Sequence, residues 1–168
     1  MTKIAHKLIS KLEKFENNGV DSMDWAEWEA EDINEKIIEK FTVKDWIFIR
    51  ENYKTKSDNM KSLIVNHIHL NKIELADIEL EILTKITKTE QIDVAYEALN
   101  KITFGFVTSG EKHFEELKGI FLTDEKQFLI EKHFTPEFVN RAIEIADKCG
   151  WFQKRTICKF LNIIESKI

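Results

Sequence analysis

Leu75-Ala-Asp-Ile-Glu-Leu-Glu-Ile-Leu-Thr-Lys-Ile-Thr-Lys-Thr-Glu-Gln-Ile-Asp-Val-Ala-Tyr-Glu-Ala-Leu-Asn-Lys-Ile102 is the stretch that decides the fold. Leu75, Ile78, Ile82, Leu83 and Ile86 keep the three-and-four spacing of a helix face, and the spacing returns in Ile92, Ala95, Tyr96, Leu99 and Ile102. Two such helices with only a short link between them pack as an antiparallel pair. Ile73, Ala76 and Leu80 fall outside the first stripe, so helix 73–87 is apolar over more than half its circumference. A helix of that kind is predicted to be sandwiched between neighbours.

The same periodicity extends over most of the chain. It predicts about ten short antiparallel helices, at 2–17, 22–40, 43–54, 58–70, 73–87, 90–104, 111–121, 124–134, 136–149 and 153–166. Start signals agree with the breaks: Thr42 leads Val43-Lys-Asp45, Ser57 leads Asp58, Thr123 leads Asp124, and Thr135 leads Pro136-Glu137. Gly19 and Gly150 are stops, and only Phe104-Gly-Phe-Val-Thr108 hints at a strand. The expected fold is all-α, a HEAT-like solenoid or an irregular helical bundle. It forms one domain over 1–168, with subdomains 1–104 and 111–168 meeting near Gly105–Gly110.

Composition supports this. A chain of 168 residues buries roughly 70% of its unfolded surface and needs neither disulfide nor metal to hold a core. Hydrophobic residues are 43% and charged ones 33%, which excludes a disordered or low-complexity protein. Five Gly and one Pro are too few turn-formers for a sandwich or barrel. Cys149 and Cys158 form no metal or redox motif, and two isolated thiols fit the reducing cytoplasm. The first ten residues do not read as a signal peptide, and no apolar run is long enough for a membrane span. Lys3, Lys7, Lys11 and Lys14 oppose Ile4, Leu8, Leu12 and Phe15, a pattern of either a solvated helix face or a membrane-surface helix.

Acidity is local. Thirty acids against 25 bases give a net charge of −5, the wrong sign for a general nucleic-acid binder. Seven of those acids, Asp21, Asp24, Glu27, Glu29, Glu31, Asp32 and Glu35, stand in one stretch without a base. On a helix, Met23, Ala26, Ala30, Ile33, Ile37 and Phe41 form one stripe; opposite it Trp28 lies among Asp24, Glu31, Asp32, Glu35 and Glu39, with Trp25 on the flank. Like charges four apart disfavour an isolated helix, and an outward Trp is the residue type most enriched at binding hot spots. Against this, acids near a helix N-terminus are stabilised by its dipole, and Trp28 could instead pack on a neighbour. Glu74, Asp77 and Glu81 form a second acidic stripe opposite the core side of helix 73–87. The expected partner-binding set is therefore Asp24, Trp25, Glu27, Trp28, Glu31, Asp32, Glu35, Glu74, Asp77 and Glu81.

Catalytic chemistry finds no footing in the sequence. His67 and His69 are two apart and point to different sides of a helix, and His67 falls on an apolar stripe. His113 with Glu116 is a commonplace exposed spacing, and neither His133 nor Cys149 has a recognisable partner. Gly-rich phosphate loops, nucleophile elbows and zinc-protease motifs are missing. The chain is expected to be no enzyme, to hold no cofactor or metal, and to bind a protein rather than nucleic acid or membrane.

Phe41-Thr-Val-Lys-Asp-Trp-Ile-Phe-Ile-Arg-Glu-Asn52 and the segment Ile78–Asn100 resemble small HEAT-like α-solenoid proteins, among them bacterial immunity proteins to polymorphic or contact-dependent growth-inhibition toxins. The resemblance covers about residues 41–102 and rests on helical pattern. It implies a protein that binds a cognate toxin and blocks its active site. An acidic face suits a cationic, nucleic-acid-cleaving toxin, because such a toxin needs a positive groove for phosphate. The competing expectation is a solenoid adaptor whose acids only solubilise it.

Overall fold

The computed structural model describes residues 2–18, 30–70, 72, 74–107 and 127–165. Among the described residues stand nine α-helices and no strand. They are α1 Lys3–Asn18, α2 Ala30–Lys36, α3 Val43–Asn52, α4 Asp58–Asn66, α5 Ala76–Thr89, α6 Ile92–Val107, α7 Gln127–His133, α8 Pro136–Lys148 and α9 Trp151–Glu165, with 3-10 turns at Ile38–Lys40 and Tyr53–Thr55. The fold is all-α. Ten helices were expected; the missing one, 111–121, lies outside the described residues, as does the first part of 22–40. Phe104 to Val107, the one hint of a strand, continue α6.

The chain divides into two compact units, Met1–Ile68 and His69–Ile168. The division follows α4 rather than Gly105–Gly110. α6 runs on to Val107 and packs against α8 and α9, which keeps both halves of the expected boundary in one unit.

In the first unit α1 packs on α3 and α4. It buries Ala5, Leu8, Ile9 and Leu12, a stripe rotated from the expected one, so Ile4 and Phe15 are only half-buried. That apolar face is consumed by the unit's own core, while Lys3, Lys7 and Lys14 face solvent. Each buried aliphatic side chain contributes about 1.5–3 kcal/mol. Asp45 anchors the start of α3 through one carboxylate oxygen, which accepts from the Thr42 backbone N–H at 2.9 Å and from its hydroxyl at 2.6 Å. Trp46, fully buried one residue later, meets Phe41 edge-on at 4.9 Å. Ser57 caps α4 by accepting the Met60 N–H at 3.1 Å.

α4 ends at Asn66, four residues before the expected boundary. The chain then turns, and Leu70 takes a left-handed backbone conformation with φ 54°. A non-glycine residue holds that conformation only when its surroundings impose it. Here Leu70 is buried, and its N–H donates to the carboxylate of Glu79 at 3.1 Å, itself buried in α5.

In the second unit α5 is enclosed as its composition predicts. It packs on α6, α7 and α8, with Ile78, Leu80, Ile82, Leu83 and Ile86 all buried. Thr84 and Thr87 join them because each hydroxyl donates to a carbonyl one turn back, Leu80 at 2.7 Å and Leu83 at 2.9 Å. Thr135 and Pro136 begin α8, and the two-residue link Cys149-Gly150 turns it back into α9. Phe134, Phe138 and Phe160 pack as a triad with ring centres 5.2, 5.3 and 6.3 Å apart.

Arg141 of α8 closes the end of α5. Its guanidinium donates to the carbonyls of Thr87 at 3.3 Å and Glu90 at 3.0 Å, and pairs with Glu144 at 2.6 Å. Terminal carbonyls have no partner within their own helix, and a cation there also complements the helix dipole. Arg141→Ala is expected to cost roughly 1–2 kcal/mol. Urea unfolding checks this as a lower midpoint at unchanged slope. A loss no larger than that of exposed Lys148→Ala would refute the capping role.

Candidate interaction surfaces

α2 holds the part of the acidic run that the structure describes. Ile33 and Ile37 turn inward and are buried, which leaves Glu31 and Glu35 exposed on the other side. Asp32 behaves differently. It accepts from Lys11 of α1 at 2.9 Å and pairs with Lys36 one turn on. Those two cations hold its carboxyl down to about 2. Asp32 ties α1 to α2 and is no unpaired acid, because a base distant in sequence reaches a run that has none of its own. Asp24, Trp25, Glu27 and Trp28 lie outside the described residues.

The second acidic stripe belongs to the other unit, and its acids are not equivalent. Glu74 is exposed in the turn before α5. Asp77 accepts from Lys132 at 2.7 Å and sits 2.7 Å from His133 Nε2, while Glu81 is half-buried. Burial alone would raise the Asp77 pKa, but Lys132 and His133 outweigh it and the net shift is downward. A free Glu74–Asp77–Glu81 face therefore does not form. α7 packs against α5 and delivers its basic end, Lys132 and His133, to Asp77.

Three of the four described histidines, His67, His69 and His133, are buried or half-buried, while His6 is exposed. His67 is buried in the turn after α4, with Nδ1 2.7 Å from Asn34 Oδ1. Because α4 has already ended, the helical projection of His67 against His69 does not apply. His133 is buried, and that burial lowers its pKa despite Asp77. His69 is lowered to about 4 by burial and then by Lys101. Among the described residues no three His, Cys, Asp or Glu side chains gather as a metal site, and no helix is long and apolar enough to cross a membrane. His113 lies outside the described residues.

These shifts dictate a pH profile. A histidine whose folded pKa is depressed binds protons first in the unfolded chain, so stability falls as pH drops below the unfolded value. For His69 the loss begins near 6.5 and is complete near 4, and His133 adds in the same direction. Asp32 and Glu144, both held to about 2 by paired cations, extend the loss below pH 4. Thermal melts should therefore fall in two acid limbs, and His69→Gln should flatten the upper one. An upper limb unchanged in that variant would remove His69 as its source.

The sequence also offers the basic C-terminal helix with Lys154, Arg155 and Lys159 as an alternative contact surface, and the structure adds two aromatics to it on α9. Trp151 is 74% exposed and Phe152 71%, the two most exposed large hydrophobic side chains among the described residues. Arg155 lies over the Trp151 ring, 5.5 Å from its centre. The signal was present in the sequence. Ile157, Phe160, Leu161 and Ile164 define the buried side of this helix, and at about 100° per residue Trp151, Phe152, Arg155 and Lys159 fall on the opposite side. Starting the helix at 153 cut the two aromatics off before that projection could be made. No protein-family model, curated protein or solved structure matches the chain.

Proposed function

We propose that the chain is an immunity protein: it binds a cationic bacterial toxin through the acidic segment Asp21–Glu35 and neutralises it by covering the active site. The observation that supports this best is the orientation of α2, where Ile33 and Ile37 are buried and Glu31 and Glu35 face solvent. Carboxylates so placed steer a basic partner toward the segment and disfavour acidic ones. The chemistry asked of the chain is occlusion. Binding over a groove that must hold phosphate stops a nucleic-acid-cleaving toxin without any reaction by its inhibitor.

An immunity gene lies directly after its toxin, so the product of the upstream open reading frame is the first partner to test. It should arrest growth when expressed alone and fail to do so when this chain is co-expressed. Within the complex, Glu31→Lys with Glu35→Lys should slow association about tenfold at low salt and flatten its salt dependence, with dissociation changed far less. An upstream product that is harmless, or that does not bind the chain, would sink the reading. Unchanged association kinetics would remove α2 from the interface.

A further inference from the structure

The outward side of α9 pairs an aromatic surface with positive charge. Trp151 and Phe152 occupy the first turn, Arg155 stacks on Trp151, and Lys159 follows one turn later. The helix has already met its packing needs through Ile157, Phe160, Leu161 and Ile164, so the aromatics are not required by its own core. Lys154 is engaged by Asp147 at 2.8 Å, whereas no carboxylate among the described residues pairs with Arg155 or Lys159. Exposed Trp, Phe and Arg in one cluster are the residue types enriched at the centres of protein interfaces.

We propose that this face docks an acidic protein segment carrying an apolar anchor, a partner chemically opposite to the one met by α2. Charge complementarity selects that occupant. Arg155 and Lys159 would take the carboxylates, while Trp151 and Phe152 would receive the anchor. A second copy docked symmetrically through the same face would set each Arg155 and Lys159 against its own counterparts, which like charge opposes. The proposal is independent of the immunity reading, since the face belongs to the other compact unit and takes a partner of opposite sign.

A phage-displayed library of random short peptides, selected on the immobilised full chain, tests it. Enriched peptides should be net acidic and carry an aromatic or long aliphatic residue. Binding of a synthetic enriched peptide should weaken about tenfold or more in Trp151→Ala and in Arg155→Glu with Lys159→Glu. Added salt should weaken the native chain far more than the charge-reversed one, and Glu31→Lys with Glu35→Lys should leave the peptide affinity unchanged. Both α9 variants replace exposed side chains, and matching melting temperatures confirm that they fold. Neutral or basic peptides, no enrichment, or affinity indifferent to Trp151→Ala would overturn the proposal. So would Trp151-dependent sedimentation with phosphatidylcholine–phosphatidylglycerol vesicles, or a concentration-dependent dimer abolished by Trp151→Ala.

Discussion

Phe160→Ala is expected to remove about 3–5 kcal/mol of folding free energy, the range for truncating a fully buried aromatic. Phe160 is completely buried and meets Phe134 and Phe138 at right angles, with ring centres 5.3 and 6.3 Å away. It thus joins three elements at once, α9 to α8 and to the end of α7. Edge-to-face contacts add about 0.5–1.5 kcal/mol each beyond burial, and the space left behind cannot collapse without moving both partner rings. At roughly 2–4 °C per kcal/mol for a chain of this size, the melting temperature should drop by about 10 °C or more. Phe128 supplies the contrast. It is 56% exposed, so Phe128→Ala should cost under about 1 kcal/mol. Equal losses in the two variants would mean that the triad is no more than ordinary surface packing.

Much of this fold was legible because helix-forming periodicity is a local property. Phe138, Ala142, Ile145 and Ala146 keep helical spacing and are buried together, and so are Ile157, Phe160, Leu161 and Ile164. Caps were legible for the same reason. Ser57 and Thr135 each accept the N–H three residues on, as their side-chain chemistry dictates. Charge pairing was not legible, since it depends on which helices meet. Lys11 lies 21 residues from Asp32, and Lys132 lies 55 from Asp77. Lys132 neutralises an acid that the linear sequence leaves alone, and Lys11 adds a second cation to the local Lys36 pair of Asp32. The end of α4 was missed because Leu70 enters the left-handed region without a glycine, held there by a contact with distant Glu79.

The candidate surfaces divide along the same line. Exposure of Glu31 and Glu35 follows from a single-helix phase, which the sequence carries, and the two carboxylates do face outward. A continuous Glu74–Asp77–Glu81 stripe required that nothing pack over it. α7 packs on α5 and brings Lys132 and His133 to Asp77, while Glu74 stays exposed. The α9 aromatics show the reverse error: a helix started two residues late turned an exposed surface into an unread link. Each residue added at a helix end places one more side chain about 100° further round, so a late boundary drops whole positions from the inferred face.

Under the immunity reading, Trp28→Ala is expected to weaken the partner complex by about 2 kcal/mol or more, the range for a central aromatic anchor. Ile33 and Ile37, both buried, set the helical phase of α2. The helix expected from the sequence over 22–40 puts position 28 on the side of Glu31 and Glu35. An aromatic ring among carboxylates would supply affinity where the acids supply steering. Its loss should therefore appear as faster dissociation at nearly constant association rate, the opposite split from Glu31→Lys with Glu35→Lys. Stability separates anchor from core. An outward Trp28 costs under about 1 kcal/mol of folding free energy on truncation, whereas a buried one costs about 3–5. A large stability loss with unchanged affinity would place Trp28 in the core, leave the acids as a solvated face, and strip the immunity reading of its central aromatic anchor.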